Sequence, residues 1–270
     1  MTTNRNNDPA SVDEVVALRA LSARSAIAST LLGTRPPSLP GRQLVRSCEI
    51  LGIAGGTARV AMTRMVATGE LEAVDGRYTL IGPLRERQHR QDESLRGISH
   101  LSEAAADRTW SMFVLHSSGS RTAGQRSALR SSLLRYRYGE VREGVWARPA
   151  NLGDQVAALA VISPHATHWN SVPGDARALV NDLWDLDAWS IEAARLRRAM
   201  RHGQRDLDAA DAASLPGNFA LDAAVIRHLQ ADPLLPFPLL PRNWPGRELR
   251  AEHTLFDAAF NRVWRSALKG

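Results

Sequence analysis

Cysteine and lysine are almost absent from the sequence. Cys48 is the one cysteine in 270 residues, so no disulfide can form within the chain, which fits a reducing cytoplasm. We interpret Cys48 as a small core residue rather than a nucleophile. Lys269 is the only lysine. Arginine therefore supplies nearly all of the positive charge, and the formal net charge is +6.

Long apolar runs and the common catalytic motifs are also missing. No segment approaches the roughly 18 uninterrupted apolar residues of a membrane span, and the N-terminus, MTTNRNNDPASVDE, is too polar and acidic for a signal peptide. There is no Gly-rich phosphate loop, no G-x-S-x-G and no H-E-x-x-H. His165 and His168 have no nearby carboxylate or cysteine to complete a metal set. We expect a soluble, cytoplasmic protein with no membrane partner, catalytic residue, metal or cofactor.

The stretch from Pro40 to Leu80 has the pattern of two short helices followed by a β-hairpin. Gly52 separates the two helices. Four residues spaced at i, i+4, i+7 and i+8 predict one buried face of the second helix: Ala58, Met62, Met65 and Val66. Asp75-Gly76 between β-capable residues predicts a type I′ turn, because both central residues of that turn need positive φ. The pattern is that of a winged helix-turn-helix.

Positive charge is concentrated around this stretch. Between Ala20 and Arg90 there are ten arginines against five carboxylates, which is +5 of the formal +6. Such a charge on a small helical module favours DNA binding through release of phosphate counterions. The alternative is a pair of amphipathic helices with a solvated charged face, but such a face more often mixes its signs. DNA binding is the better interpretation.

The predicted DNA contacts lie on the second helix, on the helix before it and on the wing. Arginine can bind guanine with two hydrogen bonds, and threonine can contact phosphate or the thymine methyl group. Glycine at a helix N-terminus allows a phosphate to approach closely. The predicted set is Arg42, Arg46, Gly56, Thr57, Arg59, Val60, Thr63, Arg64 and Arg77. For Arg64 the alternative is a salt bridge within the domain.

The remainder of the chain predicts two further domains. The order β-α-β-β-α-β is typical of a ferredoxin-like unit. After it come three predicted helices, at Asp175–Met200, Phe219–Gln230 and Arg247–Leu268, with a proline-rich segment before the last that we expect to pack on its own domain. The fold class is α+β. The predicted parts are a disordered tail at 1–12, the winged helix-turn-helix at 13–83, a linker at 84–106, a ferredoxin-like middle domain at 107–173 and a helical C-terminal domain at 174–270.

Four stretches in sequence order carry a family resemblance. They are SARSAIASTLLG, GTARVAMTRMVATGEL with GRYTL, Trp110 with RYGEVREGVWARP, and LWDLDAW with DPLLPFPLLPRNWPG. With these stretches the chain resembles the PaaX-type transcriptional repressors, named for the control of phenylacetate degradation. The resemblance implies a winged helix, a Cas2-like ferredoxin fold and a helical C-terminal domain. It also implies a homodimeric repressor of a double-stranded DNA operator, released by an aryl-CoA thioester such as phenylacetyl-CoA.

Aromatic residues and arginines outside the winged helix are candidates for the effector site. Aromatic rings could hold an acyl group and arginines the CoA phosphates. The predicted set is Trp110, Tyr138, Arg142, Trp146, Arg148, Trp184 and Trp244. The alternative is that these residues are plain core, which is the more frequent place for a tryptophan in a small domain.

Two other functions stay open beside a ligand-responsive repressor of an inverted-repeat operator. One is a Cas2-fold, metal-dependent nucleic-acid-processing enzyme. Such an enzyme needs an acidic residue at the end of its first strand, and Trp110–His116 offers none, so we expect that the protein is not an enzyme. The other is an activator or a non-repressing architectural protein, because the sign of regulation depends on where the operator lies.

Overall fold

The computed structural model describes residues 21–97, 109–116, 122–152 and 155–269. Within these ranges the chain forms ten α-helices and two antiparallel sheets, and none of the helices is long and apolar enough to cross a membrane. The predicted tail at 1–12 and the predicted linker beyond residue 97 lie outside these ranges. The chain divides into two compact units: residues up to Arg96 with Ile191–Gln230 and the residues from Pro245 onwards, and Gly97–Ser190 with Ala231–Trp244.

The first unit begins with the predicted winged helix-turn-helix, which the structure confirms. Its three strands pair antiparallel in the order β1-β3-β2, so that the hairpin β2–β3 forms the wing. In chain order the elements are α1 (Ala23–Leu32), β1 (Ser38–Pro40), α2 (Gly41–Ile50), α3 (Gly55–Ala67), β2 (Leu71–Val74), β3 (Arg77–Leu80) and α4 (Gly82–Arg96).

Two turns set the geometry of this module. Asp75 and Gly76 have φ of 49° and 73°, as the two central residues of a type I′ turn require. Gly52 has φ of 77° and ends α2, where the amide of Ile53 donates to the carbonyl of Cys48 at 2.8 Å. These left-handed conformations suit Gly or Asp, and both turns were predicted from those residues.

Helix α1 lies at the centre of the first unit. It packs against α2, α3 and α4. Gln88 of α4 is buried and donates to the carbonyls of Leu32 at 3.1 Å and Thr34 at 3.3 Å, at the end of α1. Part of the predicted linker is therefore a helix that packs on the winged helix. Seven of the ten residues of α1 are buried: Ala23, Ala26, Ile27, Ala28, Thr30, Leu31 and Leu32.

The apolar residues of α2 and α3 fill this core as predicted, with one exception. Cys48 is fully buried, and burial raises the pKa of its thiol, as expected of a core residue. On α3, Ala58, Met62 and Met65 are buried, but 37% of Val66 is exposed. Its predicted burial was wrong. At 3.6 residues per turn, position i+8 lies about 80° around the helix from position i, at the edge of the buried face.

The second unit has the predicted ferredoxin-like fold. Its four strands are antiparallel and lie in the order β5-β6-β4-β7. β4 is central, and its Trp110 faces Pro149 on one neighbouring strand and Ser171 on the other. In chain order the elements are β4 (Trp110–Leu115), α5 (Ala123–Arg135), β5 (Gly139–Arg142), β6 (Val145–Pro149), α6 (Gln155–Ile162), β7 (Ala166–Ser171) and α7 (Ala176–Leu183).

Both faces of this sheet are covered. Because side chains alternate along a strand, Trp146 packs with α5 and α6 on one face, while Ala147 packs on the other face with Leu235 and Leu239. The proline-rich segment therefore belongs to the second unit rather than to the C-terminal helices. Asn151 donates to the carbonyl of Leu234 at 2.7 Å and fixes the start of the segment. Phe237, which we expected to pack, is 72% exposed.

The C-terminal part of the chain contains α8 (Leu186–Asp208), α9 (Leu215–Gln230) and α10 (Gly246–Ala267). The single helix predicted at Asp175–Met200 was wrong. Trp184 has extended backbone angles between α7 and α8, and the carboxylate of Asp185 accepts from the amide of Ala188 at 2.8 Å. An aspartate that caps a new helix in this way satisfies the free amides of its first turn, so the chain stops one helix and starts another there.

Two neighbouring leucines of α5 test the core of the second unit. Leu133 is fully buried and Leu134 is 54% exposed. We expect Leu133→Ala to lower the free energy of unfolding by about 2–5 kcal/mol, because it leaves a cavity. Leu134→Ala should change that free energy by less than about 0.5 kcal/mol. Urea unfolding of the full chain, followed by circular dichroism, measures both, and equal effects would contradict this packing.

Candidate nucleic-acid interface

Helix α3 carries its predicted contact residues on the side away from the core. Ala58 and Met62 are buried against the rest of the unit, which leaves the other side of the helix in solvent. Val60 is 52% exposed there, as an apolar contact to a thymine methyl group would need. The exposed residues of α3 include all six that were predicted: Gly56, Thr57, Arg59, Val60, Thr63 and Arg64.

The predicted arginines differ in their partners. All five are exposed, and in the part of the chain that the structure describes Arg42, Arg59 and Arg64 make no ion pair. Arg46 lies 3.9 Å from the carboxylate of Glu49 and donates to the carbonyl of Ala267 at 3.3 Å. Arg77 on the wing donates to the carbonyl of Ser38 at 3.1 Å. Among the five predicted arginines, those without an ion-pair partner in the described chain are therefore Arg59 and Arg64 on α3 and Arg42 at the start of α2.

The start of α3 is open to a ligand. Its cap, Ala54, makes no side-chain hydrogen bond to the first turn, so the first amides of the helix are left to other acceptors. A Cβ at Gly56 would meet no atom within 4 Å, whereas a Cβ at Gly55 would lie 2.8 Å from Glu49 Oε1 and 3.0 Å from Val45 Cγ1. Gly55 therefore serves the packing of α2 on α3, and Gly56 faces solvent.

The residues predicted to bind the effector all lie in the second unit, but on two faces of the sheet. Trp110, Trp184 and Trp244 pack on the face that the proline-rich segment covers, with the rings of Trp110 and Trp184 6.3 Å apart. Tyr138 and Trp146 pack on the opposite face, so the set does not form one pocket. Four members are buried to 1% exposure: Trp110, Tyr138, Trp146 and Arg148.

Arg148 shows how a residue of this set is used in the core. Its Nη1 donates to the carbonyl of Tyr136 at 2.7 Å, and its guanidinium lies 5.0 Å from the ring centre of Tyr138, a cation–π distance. Arg142, by contrast, is exposed, and Trp184 and Trp244 are half-buried. The packing of the set favours the core alternative, and a ligand role for it stays a prediction.

The two histidines singled out in the sequence are separate in the structure. His168 Nε2 lies 2.8 Å from Ser111 Oγ, and burial lowers its pKa. His165 lies in the short helix that precedes β7. Among the described residues no three His, Cys, Asp or Glu side chains lie close enough together to hold a metal ion.

A cleft in the first unit was not predicted from the sequence. It has a volume of about 240 Å³ and lies between α1, α4, α9 and α10. Arg24, Arg87 and Arg227 line it. These arginines come from three helices, α1, α4 and α9, so only the packing of the helices reveals the cluster.

Two half-buried aspartates, Asp222 and Asp257, line one side of this cleft, and the buried His253 lies behind Asp222. His253 Nε2 lies 2.8 Å from Asp222 Oδ1. Burial opposes the charge on His253, but the hydrogen bond and charge of Asp222, helped by the charge of Asp257, raise the pKa of the histidine overall. Burial and the charge of Asp222 also raise the pKa of Asp257. Both raised pKa values favour the protonated forms and so reduce the negative charge on this side of the cleft.

Comparison with known proteins agrees with this architecture. The family model described as PaaX-like protein matches residues 22–80, and the one described as PaaX protein central Cas2-like domain matches residues 103–177. The solved structure of the uncharacterized protein Rv0674 from Mycobacterium tuberculosis is 35% identical, with a TM-score of 0.66, over 91% of this chain and 98% of that one. No curated protein matches.

The fold thus defines the class: a winged helix-turn-helix protein with a Cas2-like second module. The chain belongs to the PaaX family, as both matched regions and the ferredoxin-like strand order agree. PaaX is a family of regulators, and membership suggests a transcriptional regulator of phenylacetate catabolism.

The pair of His253 and Asp222 makes stability depend on pH. A raised histidine pKa stabilises the folded chain fully below the ordinary value of 6.5, and this contribution is lost as pH rises through the folded value. The pKa of Asp257 is also raised, so this residue too lowers the free energy of unfolding as pH rises, beginning near its ordinary pKa of 3.8. We therefore expect the free energy of unfolding to fall above pH 6.5, by at most about 1.4 kcal/mol per pH unit for one proton.

His253→Gln should make the free energy of unfolding decrease less as pH rises, because glutamine does not titrate. His89→Gln, at an exposed histidine of α4, is the matched control and should keep it. Urea unfolding at a series of pH values measures both variants. A pH dependence unchanged in H253Q would assign the protons to other groups.

Proposed function

We propose that the protein is a cytoplasmic, homodimeric transcriptional repressor that binds an inverted-repeat operator through α3 and the wing. The observation that carries this proposal is the exposed side of α3, where Arg59 and Arg64 make no ion pair among the described residues. Unpaired guanidinium groups on an exposed second helix are what base contacts in a major groove require. PaaX family membership supports the same role.

The other predicted contacts fit the same docking. Arg42 at the start of α2 is a candidate for a phosphate, because it too makes no ion pair in the described part of the chain. Arg77 lies on the wing, where a minor-groove or phosphate contact is expected. A two-fold dimer would place two α3 helices in successive major grooves, about 34 Å apart.

The proposed effector is an aryl-CoA thioester such as phenylacetyl-CoA, on the strength of the family resemblance. It releases the operator by favouring an arrangement of the protein that binds DNA less well, which requires different effector affinities for the two arrangements. Whether release raises or lowers transcription depends on the operator position. We propose repression, as in the family.

Removing Arg59 or Arg64 should weaken operator binding with little effect on folding. A bidentate arginine–guanine pair contributes about 1–3 kcal/mol of discrimination, so R59A and R64A should each lower affinity about 5- to 150-fold. Arg198→Ala removes the same charge from an exposed arginine of α8 and should lower affinity less than about threefold. Fluorescence anisotropy with a labelled upstream fragment measures each, and equal losses in all three variants would contradict specific contacts.

Gly56→Ala isolates the N-terminus of α3. A Cβ at this position meets no atom of the protein, so the free energy of unfolding should stay the same or rise slightly. Operator affinity should fall, because the Cβ would hold a phosphate away from the free amides. An unchanged affinity would place DNA elsewhere on the helix.

The effector is tested by repeating the binding over a salt series with phenylacetyl-CoA and with free phenylacetate. Release by the thioester and not by the acid is the expected outcome. Specific binding that neither compound changes would keep the regulator and reject this effector. Metal-dependent strand cleavage that survives R59A would favour the nucleic-acid-processing enzyme instead.

A further inference from the structure

Three exposed arginines and two aspartates line the cleft of the first unit. Arg24 forms an ion pair with Glu70, but Arg87 and Arg227 make none within the described ranges. Burial lowers the pKa of Arg87, and the charges of Arg24 and Arg227 lower it further. Like charges that are held together in a partly buried cleft repel one another. A bound anion would relieve that repulsion.

A second polar group in the same wall has no partner. Thr30 lines the cleft and is 5% exposed, and its Oγ1 is buried without a hydrogen bond in the described chain. Buried hydroxyl groups nearly always find a partner. Because this Oγ1 is not accessible to solvent in the conformation described, the Thr30 side chain must rotate to donate to an oxygen atom of a ligand in the cleft.

The floor of the cleft is aromatic. Phe219, Phe260 and Trp264 line it, and the rings of Phe219 and Phe260 each lie 5.4 Å from that of Trp264 in a stacked arrangement. Asp222 and Asp257 also line the cleft; Asp222 pairs with His253, and burial raises the pKa of Asp257. The lining therefore combines three arginines, two aspartates and a flat apolar surface.

We propose that this cleft binds the anionic end of the effector, a phosphate group of the CoA thioester. The volume of about 240 Å³ lies below the range of about 300–1,000 Å³ for whole drug-sized ligands, so it holds one end of the molecule only. Arg87 and Arg227 bind the anion, and Thr30 donates to it. This inference rests on the proposed function, because it places the site of the proposed effector.

The cleft is next to the winged helix, so a ligand bound there can influence DNA binding. Arg24 lies on α1, which packs against α3, and its partner Glu70 immediately precedes strand β2 of the wing. An anion that engages Arg24 competes with Glu70, and at the same time it ties α1 and α4 to α9. Effector binding thus favours one position of the winged helix on the C-terminal helices over another.

Three variants of the full chain test the site by isothermal titration calorimetry with phenylacetyl-CoA and with adenosine 3′,5′-bisphosphate as probes. Arg87→Ala and Arg227→Ala should each weaken phenylacetyl-CoA binding about tenfold or more, as the loss of a charge-assisted hydrogen bond does. Thr30→Val, of nearly the same shape, should weaken binding without destabilising the fold, because the hydroxyl has no partner in the free protein. Arg198→Ala is the control and should leave binding unchanged.

The outcomes separate this inference from the proposed function. If R87A and R227A bind phenylacetyl-CoA as the unaltered chain does, and the thioester still releases the operator, the effector site lies elsewhere and only this inference fails. If neither probe binds the unaltered chain, the cleft is not an anion site. If R87A and R227A bind both probes normally but bind the operator more weakly and with less dependence on salt, the two arginines contact DNA phosphates. That result overturns the inference. Competition by the bisphosphate identifies phosphate as the bound group, whereas competition by phenylacetate and not by the bisphosphate would overturn the inference.

Discussion

The first unit depends on the burial of a single helix. Helix α1 buries seven of its ten residues, so its stability depends on neighbours that cover most of its surface. It packs against α2, α3 and α4, and its remaining side faces the cleft that α9 and α10 line. Its alanines allow these neighbours to approach closely. The C-terminal helices meet the winged helix at this cleft and through the packing of α9 on α4, although they are far apart in sequence.

The arginines of this chain have different roles in the fold. Sequence counts treat all of them as charge, yet Arg148 is a core residue on a tyrosine ring, and Arg46 and Arg24 hold protein partners. Arg59 and Arg64 hold none in the described chain. The net charge of the segment thus indicates an affinity for phosphate, while the partners of each arginine decide which ones are available for it.

Short-range signals made much of the fold predictable. Asp75-Gly76 and Gly52 require backbone angles that few residues adopt, and so the wing and the corner between α2 and α3 followed from local chemistry. Contacts between distant segments were not predictable. The proline-rich segment could cover either unit, and the tryptophans could line a pocket or fill a core. Each choice depends on which surface is adjacent in the fold. The cleft arginines belong to this second group, while the exposed side of α3 belongs to the first.

A site on α1 suits a regulator because coupling needs little energy. Allosteric coupling of about 1–3 kcal/mol changes affinity about 5- to 150-fold, and a solvent-exposed ion pair contributes only about 0–1 kcal/mol. The arginine of the Arg24–Glu70 pair is largely exposed. A bound anion can therefore replace Glu70 as the partner of Arg24 with little loss of free energy. Reorganising the buried core around α1 would cost far more. An effector in the cleft therefore acts by shifting the intact winged helix rather than by unfolding it.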